Sequence, residues 1–252
     1  MKKIVIIALF FGMVCQTSLA QVEGDVRFGF QLSPTFSWMS ANINQINPSG
    51  TAIGVKLGML GEYFFSDNYA VTFGLGFAFN SGGTLLYEEA GQYWTQSDVP
   101  DEAFSDPTTK TFPAMSKLQY NLQFVELPIG LKLKTGDDVS KGSFGYFLEP
   151  SLAIGIRTQA RGTIDGAGSD AEKINIRDEV NLLNLSWGIG GGVEYGLSDQ
   201  TSLIGGLGLQ FGFADITDDS GTRFEDNNAA QSVAEDSKGV INAFVLKLGI
   251  MF

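Results

Sequence analysis

Two glutamates, Glu126 and Glu149, are the residues of this sequence most suited to acid–base chemistry. Two neighbouring carboxyl groups can have pKa values pushed apart, so that one donates a proton while the other accepts one. The sequence contains no histidine, which removes the usual general base near neutral pH and the commonest metal ligand. Lysines and arginines fall on the same predicted face as both glutamates and offer simpler partners. We therefore predict no catalytic residue, no metal site and no cofactor.

The two glutamates belong to a larger set of charged residues that share the inner face of predicted strands. A charge in a narrow, poorly screened space is costly unless it is paired, so we expect these side chains to form ion pairs. The sequence predicts a structural charge network. Its members are six basic and four acidic residues: Arg27, Lys56, Glu62, Glu126, Lys132, Lys134, Glu149, Arg157, Glu194 and Lys247.

The sequence contains eight segments in which bulky apolar side chains alternate with small or charged ones, and the ten network residues lie in or directly beside six of these segments. The last segment ends the chain and places Phe244, Leu246, Leu248, Ile250 and Phe252 on one face, opposite Lys247 and Gly249. Strand side chains alternate with period two, and a membrane barrel turns its bulky face to lipid and its small, polar face to the lumen. The other segments span about residues 26–38, 53–65, 69–80, 118–133, 144–157, 183–195 and 203–213.

The fourth segment contains two apolar alternations that are out of step with each other. Its first half has apolar residues at even positions, and its second half has them at odd positions. A slip of one residue reverses both faces of a strand, so a bulge near Val125 would turn both sets to lipid. The two sets are Leu118, Tyr120, Leu122 and Phe124, and Leu127, Ile129, Leu131 and Leu133.

The connections between segments are alternately short and long. The short ones lie near residues 66–68, 135–142 and 197–200, and the long ones near 39–50, 81–116, 160–180 and 214–238. This arrangement predicts an all-β fold: an eight-stranded, antiparallel, up-and-down transmembrane β-barrel with short periplasmic turns and long external loops. A barrel of eight strands is just wide enough for side chains to fill it, which favours a closed lumen. The alternatives are a narrow small-solute channel and a soluble, lipocalin-like binding protein.

Residues 1–20 have the features of a cleaved signal peptide, which leaves residues 21–252 as one barrel domain. Lys2 and Lys3 precede a short apolar stretch, and small residues stand before Gln21. Without Lys2 and Lys3 the chain has 14 basic residues against 28 acidic ones, a formal charge of −14. Such a charge excludes nucleic-acid binding through phosphates. The long loops hold much of the acid, which we interpret as solvated surface. The alternative is divalent-cation bridging to lipopolysaccharide.

Residues 125–134 read VELPIGLKLK, which resembles the hydrophobic-Glu-hydrophobic-Pro strand of the PorT-like outer-membrane β-barrel proteins of Bacteroidetes. The resemblance implies a small, non-enzymatic protein of the bacterial outer membrane, in contact with membrane lipid and lipopolysaccharide. It also implies a link to secretion or envelope integrity, through external loops that contact a surface partner, a glycan or a secretion component. The terminal Phe252 resembles the signal read by the barrel-assembly machinery, which implies that this machinery is a partner during biogenesis.

Overall fold

The computed structural model describes residues 25–136, 140–165, 171–218 and 220–252. Eight long strands in this part of the chain form one closed ring, in which each strand pairs antiparallel with the next and the last pairs with the first. The predicted all-β, eight-stranded fold is confirmed. The strands are β1 (Asp25–Ala41), β2 (Ile46–Ser66), β3 (Tyr69–Tyr87), β4 (Ser116–Gly136), β5 (Phe144–Asp165), β6 (Leu183–Gly196), β7 (Ser202–Gly212) and β8 (Gly239–Met251).

Residues 1–20 lie outside the described part of the chain, so the signal peptide remains a prediction. None of the helical segments in the described ranges is long and apolar enough to span a membrane.

The outer surface of the ring carries a belt of exposed, large apolar side chains. Phe30, Ile129 and Leu207 are each more than half exposed, and similar residues occur on all eight strands. A continuous apolar surface of this extent is incompatible with a soluble monomer but is the expected lipid contact of a membrane barrel. The soluble, lipocalin-like alternative therefore does not fit this surface.

Several strands continue into regions that the sequence predicted to be loops. β2 begins at Ile46, β3 continues to Tyr87 and β5 ends at Asp165. In these extensions the outward face is polar, as at Thr84 and Arg161, and the inward face is apolar. The extensions therefore have the side-chain pattern of a soluble protein, since they stand in water beyond the bilayer.

The predicted bulge near Val125 is wrong, because β4 keeps its even-numbered residues inside along its whole length. Leu118, Leu122 and Phe124 are at most 1% exposed and point inward, as does Lys132 further along the strand. The first apolar set of β4 therefore faces the interior of the barrel instead of lipid.

The register shifts lie in the two neighbours of β4. In β3 the shift falls between Ala78 and Ser81, where Asn80 has a left-handed φ of 55° and is exposed. In β5 the shift leaves Thr158 unpaired, between Arg157 and Gln159. A one-residue shift exchanges the two faces of a strand. β3 and β5 therefore exchange their inward and outward faces at the level where the inward side chains of β4 change from charged to apolar.

The longer connections fold over this end of the barrel. Residues 91–92, 222–224 and 232–234 form a small antiparallel sheet, and residues 171–175 pair with the end of β5. We call the described residues of 88–115, 171–182 and 213–238 the external cap. The cap and the strand extensions enclose an apolar core that includes Met39, Tyr87, Trp94, Phe112, Leu118, Tyr120, Leu122, Phe124, Ile164, Ile176 and Ile216.

Candidate functional site

A four-residue ion cluster fills the lumen at the end with the short turns. Arg27 Nη1 lies 2.6 Å from Glu194 Oε1 and 3.7 Å from Glu62 Oε2. Lys132 Nζ lies 2.6 Å from Glu62 Oε1 and 3.1 Å from Glu194 Oε2. All four residues are at least nine-tenths buried. Two cations therefore alternate with two carboxylates, and their mutual attraction offsets the free-energy cost of removing each charge from water.

Two further ion pairs lie deeper in the lumen and contain the two glutamates considered for acid–base chemistry. Lys56 Nζ lies 2.6 Å from Glu126 Oε2, and it also donates to the side-chain oxygen of Gln210. Lys247 Nζ lies 2.6 Å from Glu149 Oε2. Each glutamate thus has its own lysine, an arrangement that serves charge pairing.

The structure places two of the ten predicted network residues outside these pairs. Within the described residues, neither Lys134 nor Arg157 has a carboxylate oxygen within 4.0 Å. Arg157 instead donates to the backbone carbonyls of Arg177 and Val180, at the base of the cap. Because it lies beside the bulge at Thr158, it stands where the lumen ends and the apolar core begins.

A cavity of about 110 Å³ lies among the paired residues. Its lining includes Lys56, Glu126, Glu149 and Lys247, together with Ser33, whose hydroxyl has no hydrogen-bond partner among the described residues. A cavity of this volume, whose otherwise largely apolar lining includes these charged groups and a hydroxyl, is able to hold several water molecules.

The apolar core beneath the cap closes the lumen at its outer end. Trp94 Nε1 donates a 2.9 Å hydrogen bond to the hydroxyl of Tyr120, and the two rings meet edge to face at 5.3 Å between centroids. Trp94 has a left-handed φ of 50°, an unfavourable conformation for a bulky residue. Its ring lies against Gly162, where a Cβ atom would approach within 2.5 Å of the indole.

Sequence reasoning missed this apolar core beneath the cap, which we call the apolar plug. The available signal was the presence of Trp94, Phe104 and Phe112 in a long loop that is otherwise rich in acidic and small residues. Large aromatic side chains are poor choices for a solvated loop, so their position within one connection could have indicated a packed cap.

Glu179 joins three parts of the cap through its buried carboxylate. It accepts a 2.6 Å hydrogen bond from the backbone N–H of Gln96 and a 3.0 Å bond from the hydroxyl of Ser220. Burial raises the pKa of Glu179 above its usual value, and the negative charge of Asp218 adds to this, whereas the hydrogen bonds act in the opposite direction. The protonation of Glu179 therefore affects the contacts between these cap segments, outside the membrane.

Residues 16–218 match the family described as outer membrane protein beta-barrel domain. The chain belongs to this family. As a member of it, the protein is a small β-barrel of the bacterial outer membrane, with its short turns in the periplasm and its cap outside the cell. Comparison with proteins of curated function finds no match.

Solved structures similar to this outer-membrane barrel include Neisserial surface protein A, with 14% identity, coverage of 89% of this chain and 95% of that chain, and a TM-score of 0.38. The N-terminal barrel domain of Pseudomonas aeruginosa OprF has 12% identity, coverage of 88% and 97%, and a TM-score of 0.32. Ail, the attachment invasion locus protein of Yersinia pestis, has 6% identity, coverage of 90% and 99%, and a TM-score of 0.36.

The terminal Phe252 of this outer-membrane barrel lies on the lipid-facing side at its periplasmic end. It is about half exposed, and its backbone N–H donates a 2.7 Å hydrogen bond to the carbonyl of Phe28. Phe252 therefore extends the pairing that closes the ring between β1 and β8. Its role as an assembly signal stays a prediction.

Proposed function

We propose that this protein is a non-enzymatic outer-membrane barrel that acts through its external cap and does not conduct solutes. The observation that supports this most directly is the apolar plug beneath the cap. Leu118, Leu122 and Phe124 of β4 project inward and are almost fully buried against cap residues such as Trp94 and Phe112. An ion or hydrated solute would have to displace this packed apolar layer.

The ion pairs of the lumen support the same proposal. Glu126 and Glu149 each form an ion pair with a lysine, so neither carboxylate is available as a general acid or base. The alternative, a narrow small-solute channel, is favoured only by the cavity of about 110 Å³ between these pairs.

The partner of the cap is expected to be a molecule of the cell surface. The resemblance of residues 125–134 to PorT-like proteins favours a role linked to secretion or envelope integrity, with a surface partner, glycan or secretion component bound by the cap. Membrane lipid, lipopolysaccharide and, during biogenesis, the barrel-assembly machinery are its other expected partners.

Conductance of the refolded protein in a planar bilayer tests the proposal. We expect no steady channels from the parent protein. A Trp94→Ala and Phe112→Ala double variant, which loosens the plug, is the matched comparison and should conduct more often than the parent. Steady channels from the parent protein would instead support the small-solute channel.

A further inference from the structure

The small sheet of the external cap has one covered edge and one open edge. Its strands lie in the order 232–234, 222–224 and 91–92. On the side of residues 91–92, Gly91 exchanges two backbone hydrogen bonds with Phe112, of 3.2 and 2.7 Å. On the other side, no strand of the described chain pairs with the outer flank of residues 232–234. We call these three residues the open edge.

The pairing with residues 222–224 shows which backbone groups of the open edge are free. The N–H of Glu225 donates a 3.0 Å hydrogen bond to the carbonyl of Gln231 at one end of this pairing. Hydrogen bonding alternates along an antiparallel strand, so Val233 also turns its N–H and C=O toward residues 222–224. Ser232 and Ala234 therefore turn theirs to the opposite side, away from the sheet.

The open edge is accessible and unprotected. Ser232 and Ala234 are exposed, as are residues 228–231 before them. Proteins commonly block such an edge with lysine, proline or a bulge, because its free N–H and C=O groups are able to pair with another strand. Residues 229–234 read AAQSVA and contain neither lysine nor proline, and the pairing with residues 222–224 has no register shift.

The surface around the open edge is strongly acidic. The described residues of the external cap carry 15 acidic and 5 basic side chains, a formal charge of −10. Glu225, Asp226 and Asp236, all exposed, lie before and after the open edge in the chain. Arg223 lies 2.8 Å from Glu89 and 4.0 Å from Glu225, so two carboxylates share its one charge. Such a surface repels a second copy of itself and attracts a cationic segment.

We propose that the open edge binds an extended segment of a partner protein, rich in lysine or arginine, as an additional strand. The backbone of the segment pairs with the outward N–H and C=O groups of Ser232 and Ala234, as in other cases of strand addition. Its cationic side chains lie against the acidic residues near the two ends of the open edge. The inference rests on the proposed function, because it names the kind of surface partner that the cap binds.

Binding of a defined peptide to the refolded mature protein, held in zwitterionic phospholipid nanodiscs, tests the proposal. The probe is a fluorescent peptide of about twelve residues in which lysine and threonine alternate. Its control has the same sequence with N-methyl groups on the central residues, which keep the charge but prevent strand pairing. We expect the probe to bind at least tenfold more tightly than the control. Equal binding would identify charge attraction alone and overturn the proposal, as would the absence of binding.

Amide exchange measured by NMR spectroscopy locates the bound peptide. Without peptide, the N–H groups of Ser232 and Ala234 should exchange rapidly with solvent, whereas that of Glu225, which bonds across the sheet, should be protected. The probe should slow exchange of the first two at least tenfold. Protection of both before any peptide is added would show that a second copy already covers the open edge. Unchanged exchange on binding would place the peptide elsewhere. Either result would contradict the proposed site.

Substitutions at one position separate backbone pairing from side-chain contact. Ala234→Pro removes one outward N–H at an edge position that tolerates proline, and it should weaken binding of the probe at least fivefold. Ala234→Val keeps this N–H and should bind as the parent does. Protection of the Glu225 N–H verifies that the small sheet persists in both variants. Equal affinities of the two variants would speak against pairing at the open edge.

The charge requirement is tested separately. A triple variant, Glu225→Gln, Asp226→Asn and Asp236→Asn, should weaken binding of the probe at least fivefold, and an unchanged affinity would contradict the role given to these residues. Failure of the probe to bind leaves the closed barrel unaffected. Steady channels in the planar bilayer would instead overturn the proposed function, while peptide binding stays measurable.

Discussion

The indole nitrogen of Trp94 donates a hydrogen bond to the hydroxyl of Tyr120, and this bond joins the second external connection to the barrel wall. Both residues are at least 95% buried, in a layer that lies above the charged lumen. The capped end of the barrel is therefore organised like a soluble protein, although it is continuous with strands that cross the membrane.

Trp94→Ala should open the cap without unfolding the membrane part of the barrel. Loss of a buried tryptophan costs about 3–5 kcal/mol, and here that loss falls on residues 88–115. Limited proteolysis of the folded protein should show faster cleavage in this range. Tyr120→Phe, which keeps the ring but leaves the indole N–H of Trp94 without its acceptor, should cost less, about 1–3 kcal/mol. Unchanged cleavage of Trp94→Ala would show that the cap does not depend on this residue.

Lys132→Met should destabilise the barrel, because among the described residues it leaves Glu62 and Glu194 with Arg27 as their one remaining cationic partner. Removal of one member of a buried ion network costs about 3–5 kcal/mol, because an unpaired charge remains. Urea unfolding in lipid vesicles measures this change. Lys134→Met is the control, since Lys134 has no carboxylate within 4.0 Å among the described residues, and it should have a much smaller effect. Equal losses in the two variants would contradict the pairing.

Leu207→Arg tests the lipid-facing surface. Leu207 is exposed near the middle of the apolar belt, where an arginine costs about 2–4 kcal/mol. Gln119→Arg, on the outward face of β4 beyond the membrane, should change the unfolding free energy by less than about 0.5 kcal/mol. Folding of Leu207→Arg into lipid with the parent's stability would show that the assignment of faces is wrong.

The stability of the cap should increase as the pH falls through the titration of Glu179. Burial raises the pKa of this carboxyl group in the folded state, so the folded cap binds the proton more tightly than the unfolded cap does. As the pH falls, the increase in cap stability begins at the raised pKa of Glu179 and is complete below the usual pKa of a carboxyl group. Hydrogen exchange of residues 171–182 between about pH 7 and pH 4 reports it. The cap of Glu179→Gln should not gain this stability as the pH falls. An identical pH dependence of exchange in parent and variant would show that Glu179 is not its source.

The membrane part of the fold was predictable from the sequence because lipid imposes a simple rule on each strand. Bulky residues such as Phe30 and Leu207 alternate with small or charged ones, and the charged residues mark the inner face. The same rule indicated which side of β4 holds Glu126 and Lys132. It also placed ten charged residues in one lumen, and the structure pairs eight of them.

The cap and the bulges were not predictable by this rule. In β4 the residues Leu118 and Leu122 are apolar because they face a packed core, whereas Leu127 and Ile129 are apolar because they face lipid. Periodicity alone does not distinguish these two environments. The bulges at Asn80 and Thr158 lie in neighbouring strands, so β4 itself carries no mark of them.

The reversal of environment along β4 is the claim on which the closed barrel and its cap depend, and cysteine accessibility tests it most directly. Single cysteines are placed at Leu122, Gln123 and Ile129 in the refolded mature chain. A membrane-impermeant maleimide should label only Gln123→Cys, a hydrophobic thiol reagent dissolved in the bilayer should label only Ile129→Cys, and Leu122→Cys should resist both reagents. Labelling of Leu122→Cys by the bilayer-dissolved reagent would place that residue in the bilayer and contradict the account.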